Sequence, residues 1–432
     1  MTSATVRLYG TDIASVAWDA AREIGMLEYH PDFLRSGIEV APLHMPLAPG
    51  VYQFPDLPRE TFKGLPGLLA DCLPDRFGNL LIDQWLARQG RKADSFNPVE
   101  RLCYLGSRAM GALEFLPTGH PEFPDRELEV EALVTLANKV LAEREELSTK
   151  LTSGHEEEAL TDILRVGTSA GGARAKAVVA WHPVTGEIRS GQVPLPTGFE
   201  PWLIKFDGVD GNADKELADP LGYGRVEYAY YLMAREAGLE MSACRLLEEH
   251  GRAHFMTRRF DRTPGGDRLH LQTLCALGHY DFNQAGGYSY EQAFQMARRL
   301  GLAQPGLTEL FRRAVFNILG RNQDDHTKNI SFLMDRRGEW RLAPAYDVTY
   351  SYNPDGLWTS RHQMSLNGKR DGFVCDDLME TARVADVKPR KAREILSEIA
   401  AVLQRWPEFA ERAGVSGQFI PQIQENIRVI EN

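Results

Sequence analysis

Cysteine is scarce in this chain of 432 residues: there are five cysteines, and none of them forms a CxxC pair. They are Cys72, Cys103, Cys244, Cys275 and Cys375. An odd number of scattered thiols in a long chain is typical of a reduced compartment, where cysteines are mostly structural. The eleven histidines do not lie near them at metal-ligand spacing, so we expect no structural zinc.

Long apolar runs are absent as well, because nothing in the sequence approaches the roughly 18 apolar residues of a membrane span. The first ten residues, MTSATVRLYG, lack the basic region and apolar core of a signal peptide. We therefore expect a cytoplasmic protein without membrane contact. The sequence has no low-complexity tract, heptad run or fixed-period repeat, which excludes solenoids and long coiled coils.

Positive charge is also in deficit, with a formal net charge of −11 and a pI near 5.6. Such a surface repels polyphosphate, so a stand-alone nucleic-acid binder is not expected. A local basic patch or a basic partner protein stays compatible with this charge.

The first part of the chain, to about Pro117, mixes short strands, turns and helical sequence. Residues 6–9 alternate like a strand, and residues 67–89 have a helical pattern that Pro74 and Gly78 interrupt. A break of this kind predicts a turn between two helices. No chemistry is evident here, which favours a packing or partner-binding domain.

The rest of the chain begins with strands and continues with helices. An amphipathic helix is predicted over 127–147, strands over 176–181, 201–206, 244–247 and 253–257, and a helix over 226–237. Beyond Arg262 the pattern is mainly helical, with helices near 310–319 and 390–406 around a hairpin of 330–334 and 340–342. This order predicts an α+β protein.

The segment DDHTKN is the most informative motif. Asp324 and Asn329 are five positions apart, the spacing at which a kinase loop presents a catalytic base and a metal-binding amide. Asp347 follows the predicted hairpin, where a kinase places its second metal ligand. The alternatives are a polar turn for the first pair and an Asp that caps a strand end for Asp347.

Two further features suit a nucleotide. GTSAGGARAK offers backbone N–H groups at Gly171 and Gly172 for phosphate, although it is neither a Walker A loop nor GxGxxG, and a surface turn is the alternative. Lys205 lies in the apolar strand WLIKF and requires an anion if it is buried. That anion is ATP phosphate or a helix carboxylate, with Glu227 best placed and Glu216 also open; a solvent-facing lysine is the alternative.

Together these motifs resemble the HipA family of toxin kinases. The matching segments run nearly from end to end: VRLYG, LADCLPDRFGN, GTSAGGARAKA, LIKFD, RRFDR, NQDDHTKNISF, LAPAYDVTYS and MSLNGK. The resemblance implies a two-lobed, protein-kinase-like core with a mixed β N-lobe, a helical C-lobe and an additional small N-terminal α/β domain. The implied divisions are 1–118, 119–262 for the N-lobe, and 263–432 for the C-lobe.

The resemblance also implies roles for the catalytic loop. Asp324 would be the catalytic base, and Asn329 and Asp347 would be the Mg²⁺ ligands. His326 is included among the catalytic residues because Asp324, His326 and Asn329 form a D-x-H-x-x-N pattern, which is similar to the loop of phosphoinositide-type kinases.

ATP-binding residues are implied in the same way. Lys205 would contact the ATP phosphates, and the segment 258–260 would be the hinge beside adenine. The implied ATP-binding residues are Gly167, Ser169, Gly171, Gly172, Lys176, Lys205, Arg258 and Phe260. Ser169 lies where family members carry an autophosphorylated serine, and the adjacent Thr168 is an alternative acceptor.

The implied function is an ATP- and Mg²⁺-dependent serine/threonine protein kinase, the toxin of a toxin–antitoxin pair. Members of this family pair with a small helix-turn-helix antitoxin that contacts DNA, and their known substrates are aminoacyl-tRNA synthetases. We therefore expect such an antitoxin and a synthetase substrate, with translation inhibited. Two alternatives stay open: a small-molecule or lipid-type kinase, and a non-catalytic partner-binding pseudokinase. An assay with labelled ATP separates them.

Overall fold

The structure, a computed structural model, describes residues 2–119, 127–142, 163–164, 167, 174–192, 195–209, 221–263 and 265–430. The predictions for Thr168, Ser169, Gly171, Gly172 and Glu216 concern residues outside these ranges.

The described strands form three sheets. They are β1 (Ser3–Leu8), β2 (Thr11–Asp19), β3 (Ile24–Tyr29), β4 (Val51–Tyr52), β5 (Leu113–Leu116), β6 (Lys176–Trp181), β7 (Ile188–Ser190), β8 (Glu200–Lys205), β9 (Cys244–Glu249), β10 (Arg252–Arg258), β11 (His270–Thr273), β12 (Ser331–Met334) and β13 (Trp340–Leu342). Their orders are β4-β3-β2-β1-β5, β7-β6-β8-β10-β9 and β11-β12-β13. Every pairing between these strands is antiparallel.

The helices are concentrated in the second half of the chain. They are α1 (Pro31–Leu34), α2 (Arg59–Phe62), α3 (Gly67–Ala70), α4 (Arg76–Arg88), α5 (Pro98–Leu105), α6 (Val130–Ala142), α7 (Tyr223–Glu236), α8 (Leu274–Gly278), α9 (Tyr290–Arg299), α10 (Gln304–Leu319), α11 (Cys375–Val384), α12 (Pro389–Gln404), α13 (Trp406–Ala413) and α14 (Phe419–Asn426). Within the described ranges, two 3₁₀ turns occupy Ala93–Ser95 and Thr327–Asn329.

The break predicted within 67–89 is present, but Gly78 does not contribute to it. Residues 71–75 separate α3 from α4, and Asp75 is the N-cap of α4, accepting a hydrogen bond from the Gly78 N–H at 2.7 Å. Gly78 therefore lies in the first turn of α4. The restriction that Pro74 imposes on the backbone accounts for the break without Gly78.

The second sheet carries α6 against one face and α7 against the other. In β8, Trp202 and Ile204 are buried in the same core cluster as the apolar side of α6. Successive side chains of a strand point to opposite faces, so Lys205 faces α7. This alternation places the lysine of WLIKF in the cleft between sheet and helical lobe.

The helical lobe has the largest apolar core, in which α7 and α9–α14 pack together with Phe332 and Leu342 of the three-stranded sheet. Trp406, Tyr290, Phe311 and Phe316 are among its fully buried side chains. The α+β class and the order of a β-rich lobe before a helical lobe are confirmed. In the described part of the chain, no helix has the length and apolar character needed to cross a membrane.

The N-terminal sheet domain is packed against both lobes. The Gly67 N–H donates to His279 Nε2 at 3.1 Å, and a Cβ at Gly67 would lie 2.2 Å from the Ala276 carbonyl oxygen. Phe77 and Leu81 of α4 are buried in the core of the β-rich lobe. The domain is therefore an integral part of the cleft's framework.

Candidate active site

Lys205 contacts two carboxylates that come from different parts of the fold. Its ammonium group donates to Glu227 Oε1 at 2.6 Å and also to Asp347 Oδ1. Its side chain is 11 % exposed and that of Glu227 is 1 % exposed. Burial alone would lower the pKa of Lys205, but Asp347 and Glu227 raise it above the ordinary value. The lysine is therefore charged, and it links β8, α7 and the segment after β13.

Asp347 is held in an unusual backbone conformation beside this lysine. Its φ is +53°, in the left-handed region that is uncommon for residues other than glycine. Its carbonyl oxygen accepts a hydrogen bond from Asn322 Nδ2 at 3.3 Å. Burial would raise the pKa of the Asp347 carboxyl, but Lys205 and Lys176 hold it well below its usual range.

Asp324 lies in the loop that follows α10, and its backbone is fixed on both sides. Its N–H donates to Ser351 Oγ at 3.1 Å, and its carbonyl accepts from Asn329 Nδ2 at 2.7 Å. The Asp324 side chain is 34 % exposed, and its Oδ1 accepts the Trp358 indole N–H at 2.8 Å. Since the amide nitrogen of Asn329 is engaged, its amide oxygen is the atom suited to a metal.

Asn322 and Ser351 connect this loop to the Asp347 segment. Ser351 Oγ donates to Asn322 Oδ1 at 3.0 Å, while Asn322 also contacts the Asp347 carbonyl. The predicted base and the predicted metal ligand are thus joined through two intervening polar side chains. Asn322 stands in NQDDHTKNISF two positions before Asp324, and Ser351 ends LAPAYDVTYS four positions after Asp347, but spacing alone does not indicate that the two side chains meet.

Asp325, the next residue in the chain, lies in a buried network of hydrogen bonds. Its carboxylate is buried and accepts hydrogen bonds from Tyr290 and the Gln363 N–H, both at 2.8 Å, and it lies 2.9 Å from His362 Nδ1. Burial would raise the pKa of Asp325, but His362 and these donors lower it. Asp325 therefore fixes the loop to Tyr290 and to the segment 362–363.

His326 lies at the edge of the same loop. Its Nε2 is 3.9 Å from Asp324 Oδ1, beyond hydrogen-bonding distance, and its ring is 5.3 Å from that of Phe282. The loop thus carries one partly exposed carboxylate with a histidine near it.

The three residues of the predicted hinge, 258–260, have different surroundings. The Arg258 side chain is 40 % exposed and lies 3.4 Å from Glu200. Arg259 forms a buried two-point contact with Asp261, at 2.9 and 2.7 Å. The Phe260 ring packs 5.6 Å from that of Tyr346. Only Phe260 therefore points towards the residue that precedes Asp347.

The described part of the glycine loop is attached to the N-terminal domain. A Cβ at Gly167 would lie 2.6 Å from Leu81 Cδ1 and 2.9 Å from the Ile163 carbonyl oxygen, so this glycine packs closely against α4. The Lys176 side chain is buried and its Nζ lies 3.8 Å from Asp75 Oδ2. This lysine is one of the residues predicted to bind ATP, and besides Asp75 it acts on Asp347, whose pKa it helps to lower.

Arg174 is a site residue that the sequence analysis did not single out. Its guanidinium lies 3.5 Å from Glu227 Oε2 and over the Tyr223 ring at 4.7 Å. Glu227 is therefore flanked by two cations, Lys205 and Arg174. The position of Arg174 within GTSAGGARAK was the available signal.

The family of the chain follows from two matches that cover most of it. Residues 4–116 match the HipA N-terminal domain, and residues 168–406 match the HipA-like C-terminal domain. The chain belongs to the HipA family. This agrees with the motifs quoted above.

The chain is similar to a curated relative and to a solved structure. The Sinorhizobium fredii protein named "Putative kinase Y4mE" is 27 % identical in an alignment of 238 residues that covers 49 % of this chain and 49 % of that protein. The chain thus spans about half the length of this curated relative. HipA in the Shewanella oneidensis MR-1 complex of HipA, HipB and operator DNA aligns with a TM-score of 0.67 at 18 % identity, over 98 % of this chain and 95 % of that one. At this identity the likeness shows the fold alone.

Proposed function

We propose that this HipA-family chain is an ATP-dependent serine/threonine protein kinase. The observation that carries the proposal is the contact of Lys205 with both Glu227 and Asp347. A charged strand lysine paired with a helix acid, beside a second acid, is the arrangement with which kinases hold nucleotide phosphates. The Asp324 loop, connected to Asp347 through Asn322 and Ser351, supplies the base.

In the proposed reaction, Asp324 takes the proton of the acceptor hydroxyl. The hydroxyl oxygen forms a bond to the γ-phosphorus as the bond from phosphorus to the bridging oxygen breaks, and ADP leaves with that electron pair. The partial exposure of Asp324 supports this role, since a base must be reached by its substrate. Asp325 is excluded from it by its buried hydrogen bonds.

Asn329 and Asp347 would hold Mg²⁺. An amide oxygen and a carboxylate fit this ion, which takes oxygen ligands and completes its shell with phosphates and water. In the described ranges, no group of three or more His, Cys, Asp or Glu side chains could hold a metal ion. The proposed site would accordingly have two protein ligands, Asn329 and Asp347. Mg²⁺, when bound, would neutralise phosphate charge, and Lys205 would add a positive charge towards the same phosphates.

The nucleotide would lie between the glycine loop and the hinge. Lys205 would bind the phosphates, and the backbone of residues 167–176 would line them. The Phe260 side chain, packed near Tyr346, would contact the adenine side together with the backbone of Arg258. His326 would assist at the acceptor side because of its nearness to Asp324.

We further propose that the kinase is the toxin of a HipA-type toxin–antitoxin pair in the cytoplasm. Its partner would be a small helix-turn-helix antitoxin that carries the DNA contacts, which suits a chain with a net charge of −11. Its substrate would be an aminoacyl-tRNA synthetase, whose phosphorylation inhibits translation. The division into 1–118, 119–262 and 263–432 is part of this proposal.

The test is phosphate transfer from γ-labelled ATP with Mg²⁺ to protein acceptors and, separately, to small-molecule acceptors. We expect label on serine or threonine of protein, and Asp324→Asn should lower the rate by roughly 10²–10⁴-fold while ATP still binds. Label on small molecules alone would favour a metabolite kinase. Absence of both ATP binding and transfer would favour a partner-binding pseudokinase.

A further inference from the structure

The proposed base has a side-chain partner that neither its motif nor its loop supplies. The Trp358 indole N–H donates to Asp324 Oδ1 at 2.8 Å, from the segment that follows Asp347. Trp358 is half-buried, so this hydrogen bond does not join two fully exposed side chains.

Backbone hydrogen bonds join the two ends of the loop that carries Trp358. The Asn353 N–H donates to the Thr359 carbonyl at 3.3 Å, and the Gly356 N–H donates to the Asn353 carbonyl at 3.1 Å. These bonds restrict the backbone around Trp358, and the indole ring has only two side-chain torsions to fix. The donor is therefore held in place before any substrate arrives.

A second connection ties Trp358 to the residue next to the base. Gln363 Nε2 donates to the Trp358 carbonyl, and the Gln363 N–H donates to Asp325 Oδ1 at 2.8 Å. The buried Asp325 network thus holds both Asp324, its chain neighbour, and the tryptophan that contacts Asp324. The base and its partner are positioned by one common framework.

The chemistry of the indole determines what this contact does. An indole N–H only donates and has no acceptor atom, so it cannot compete with Asp324 for the acceptor proton. A carboxylate accepts several hydrogen bonds, so donation by the indole to Oδ1 is compatible with a second bond from a hydroxyl. Donation to a charged oxygen is strong and directional, which fixes the side-chain rotamer of Asp324.

We propose that Trp358 is a positioning residue for phosphoryl transfer, because its indole N–H orients the Asp324 carboxylate towards the acceptor hydroxyl. The inference rests on the proposed function and adds a residue to the same site. Trp358 contacts neither the phosphates nor the acceptor in this proposal, and it acts through Asp324.

The first test compares Trp358→Phe with Trp340→Phe in the full chain. Each change removes one indole donor and keeps an aromatic ring, but Trp340 Nε1 donates at 3.2 Å to the Glu39 carbonyl, in the N-terminal domain. With γ-labelled ATP, Mg²⁺ and dephosphorylated casein, Trp358→Phe should lower kcat about 10- to 100-fold, the range for a hydrogen bond to a charged group. The KM for ATP should change less than about twofold, and Trp340→Phe should leave both constants as in the parent protein.

The second test is a cycle with Asp324→Asn. If Trp358 acts through Asp324, Trp358→Phe should slow the Asp324→Asn protein no further. Equal losses in both backgrounds would overturn the inference, and so would a Trp358→Phe protein as fast as the parent. A faster variant would also overturn it, since the indole would then block the base.

The third test needs no folded Trp358 variant. The chain has seven tryptophans, and ¹⁵N-labelled indole groups give separate NMR signals. Asp324→Asn should move one indole signal, that of Trp358, because its acceptor loses its charge. A spectrum with every indole signal unmoved would refute the contact itself. A parent protein that transfers no phosphate but shows this shift would refute the kinase proposal and leave the contact standing.

Discussion

Lys176 Nζ lies 3.8 Å from Asp75 Oδ2, and both side chains are almost fully buried. Lys176 begins β6 directly after the glycine loop, whereas Asp75 caps α4 of the N-terminal domain. Burial raises the pKa of Asp75 to about 7 and lowers that of Lys176. The N-terminal domain therefore contributes a carboxylate to the charge balance beside the proposed phosphate site.

Removing this carboxylate should destabilise the protein. We expect Asp75→Ala to lower the free energy of unfolding by about 3–5 kcal/mol, the usual cost of removing one partner from a buried ion pair. The double change Asp75→Ala with Lys176→Met should lose less than the sum of the two single losses, since neither partner of the pair is left buried without the other. Urea unfolding of the parent, Asp75→Ala, Lys176→Met and the double variant measures this. A double variant that loses the sum of both single losses would contradict the coupling.

Changing Asp324 to Asn should affect phosphate transfer, whereas changing Asp325 to Asn should affect stability. Asp324→Asn should reduce phosphate transfer by roughly 10²–10⁴-fold with an unfolding midpoint like that of the parent. Asp325→Asn should lower the unfolding midpoint, because its carboxylate contacts Tyr290, His362 and Gln363. Kinetics and thermal unfolding of the same samples separate the two effects. Slow transfer by a fully stable Asp325→Asn protein, with Asp324→Asn active, would reverse the assignment.

The dependence of nucleotide affinity on Mg²⁺ should require Asp347 and should not require Glu227. Nucleotide affinity of the parent should fall when Mg²⁺ is chelated, and Asp347→Ala should bind ATP equally with and without chelator. Glu227→Gln is the matched control, because Glu227 contacts the same lysine without serving as a metal ligand. It should bind ATP more weakly and keep the dependence on Mg²⁺. Parent affinity that ignores the chelator would count against the metal site.

Phosphorylation of Ser169 should weaken ATP binding. A phosphoryl group adds about −1.5 to −2 charges at neutral pH, and it would repel ATP phosphates from the same loop. Mass spectrometry after incubation with ATP and Mg²⁺ should find the modification on Ser169, with Thr168 as the alternative site. Ser169→Asp should bind ATP poorly and Ser169→Ala normally. Full nucleotide affinity of Ser169→Asp would remove this switch.

Mild acid should destabilise the packing of the N-terminal domain through His279. Burial and the nearby His44 lower the pKa of His279 to about 3, against about 6.5 in an unfolded chain. Between these values the unfolded chain binds a proton that the folded protein does not, so stability falls as the pH drops below about 6.5. The contribution of one such group is at most about 1.4 kcal/mol per pH unit.

The variant His279→Gln should therefore show a shallower loss of stability from pH 6.5 to 5 in urea unfolding. His250→Gln is the control, because His250 is also left-handed, with φ of +46° against +53° for His279, but its side chain is 60 % exposed. Backbone strain is thus similar in the two variants. Equal slopes for His279→Gln and the parent would show that this ring does not sense the pH.

Much of this protein could be predicted from local pattern. The apolar run WLIKF predicted a strand that contains Lys205, and β8 is such a strand. Apolar periodicity predicted the helix that ends before the Asp324 loop, which the structure gives as Gln304–Leu319. Both signals are local, because strand alternation and helix periodicity arise from backbone geometry.

Only the tertiary structure decided which side chains meet. Lys205, Glu227 and Asp347 are distant in sequence, and the choice of Glu227 depended on how α7 packs against β8. Trp358 reaches Asp324 across 34 positions, and Asp75 reaches Lys176 from another domain. Such contacts depend on how whole elements pack together, since spacing along a chain determines neighbours only within one helix or strand.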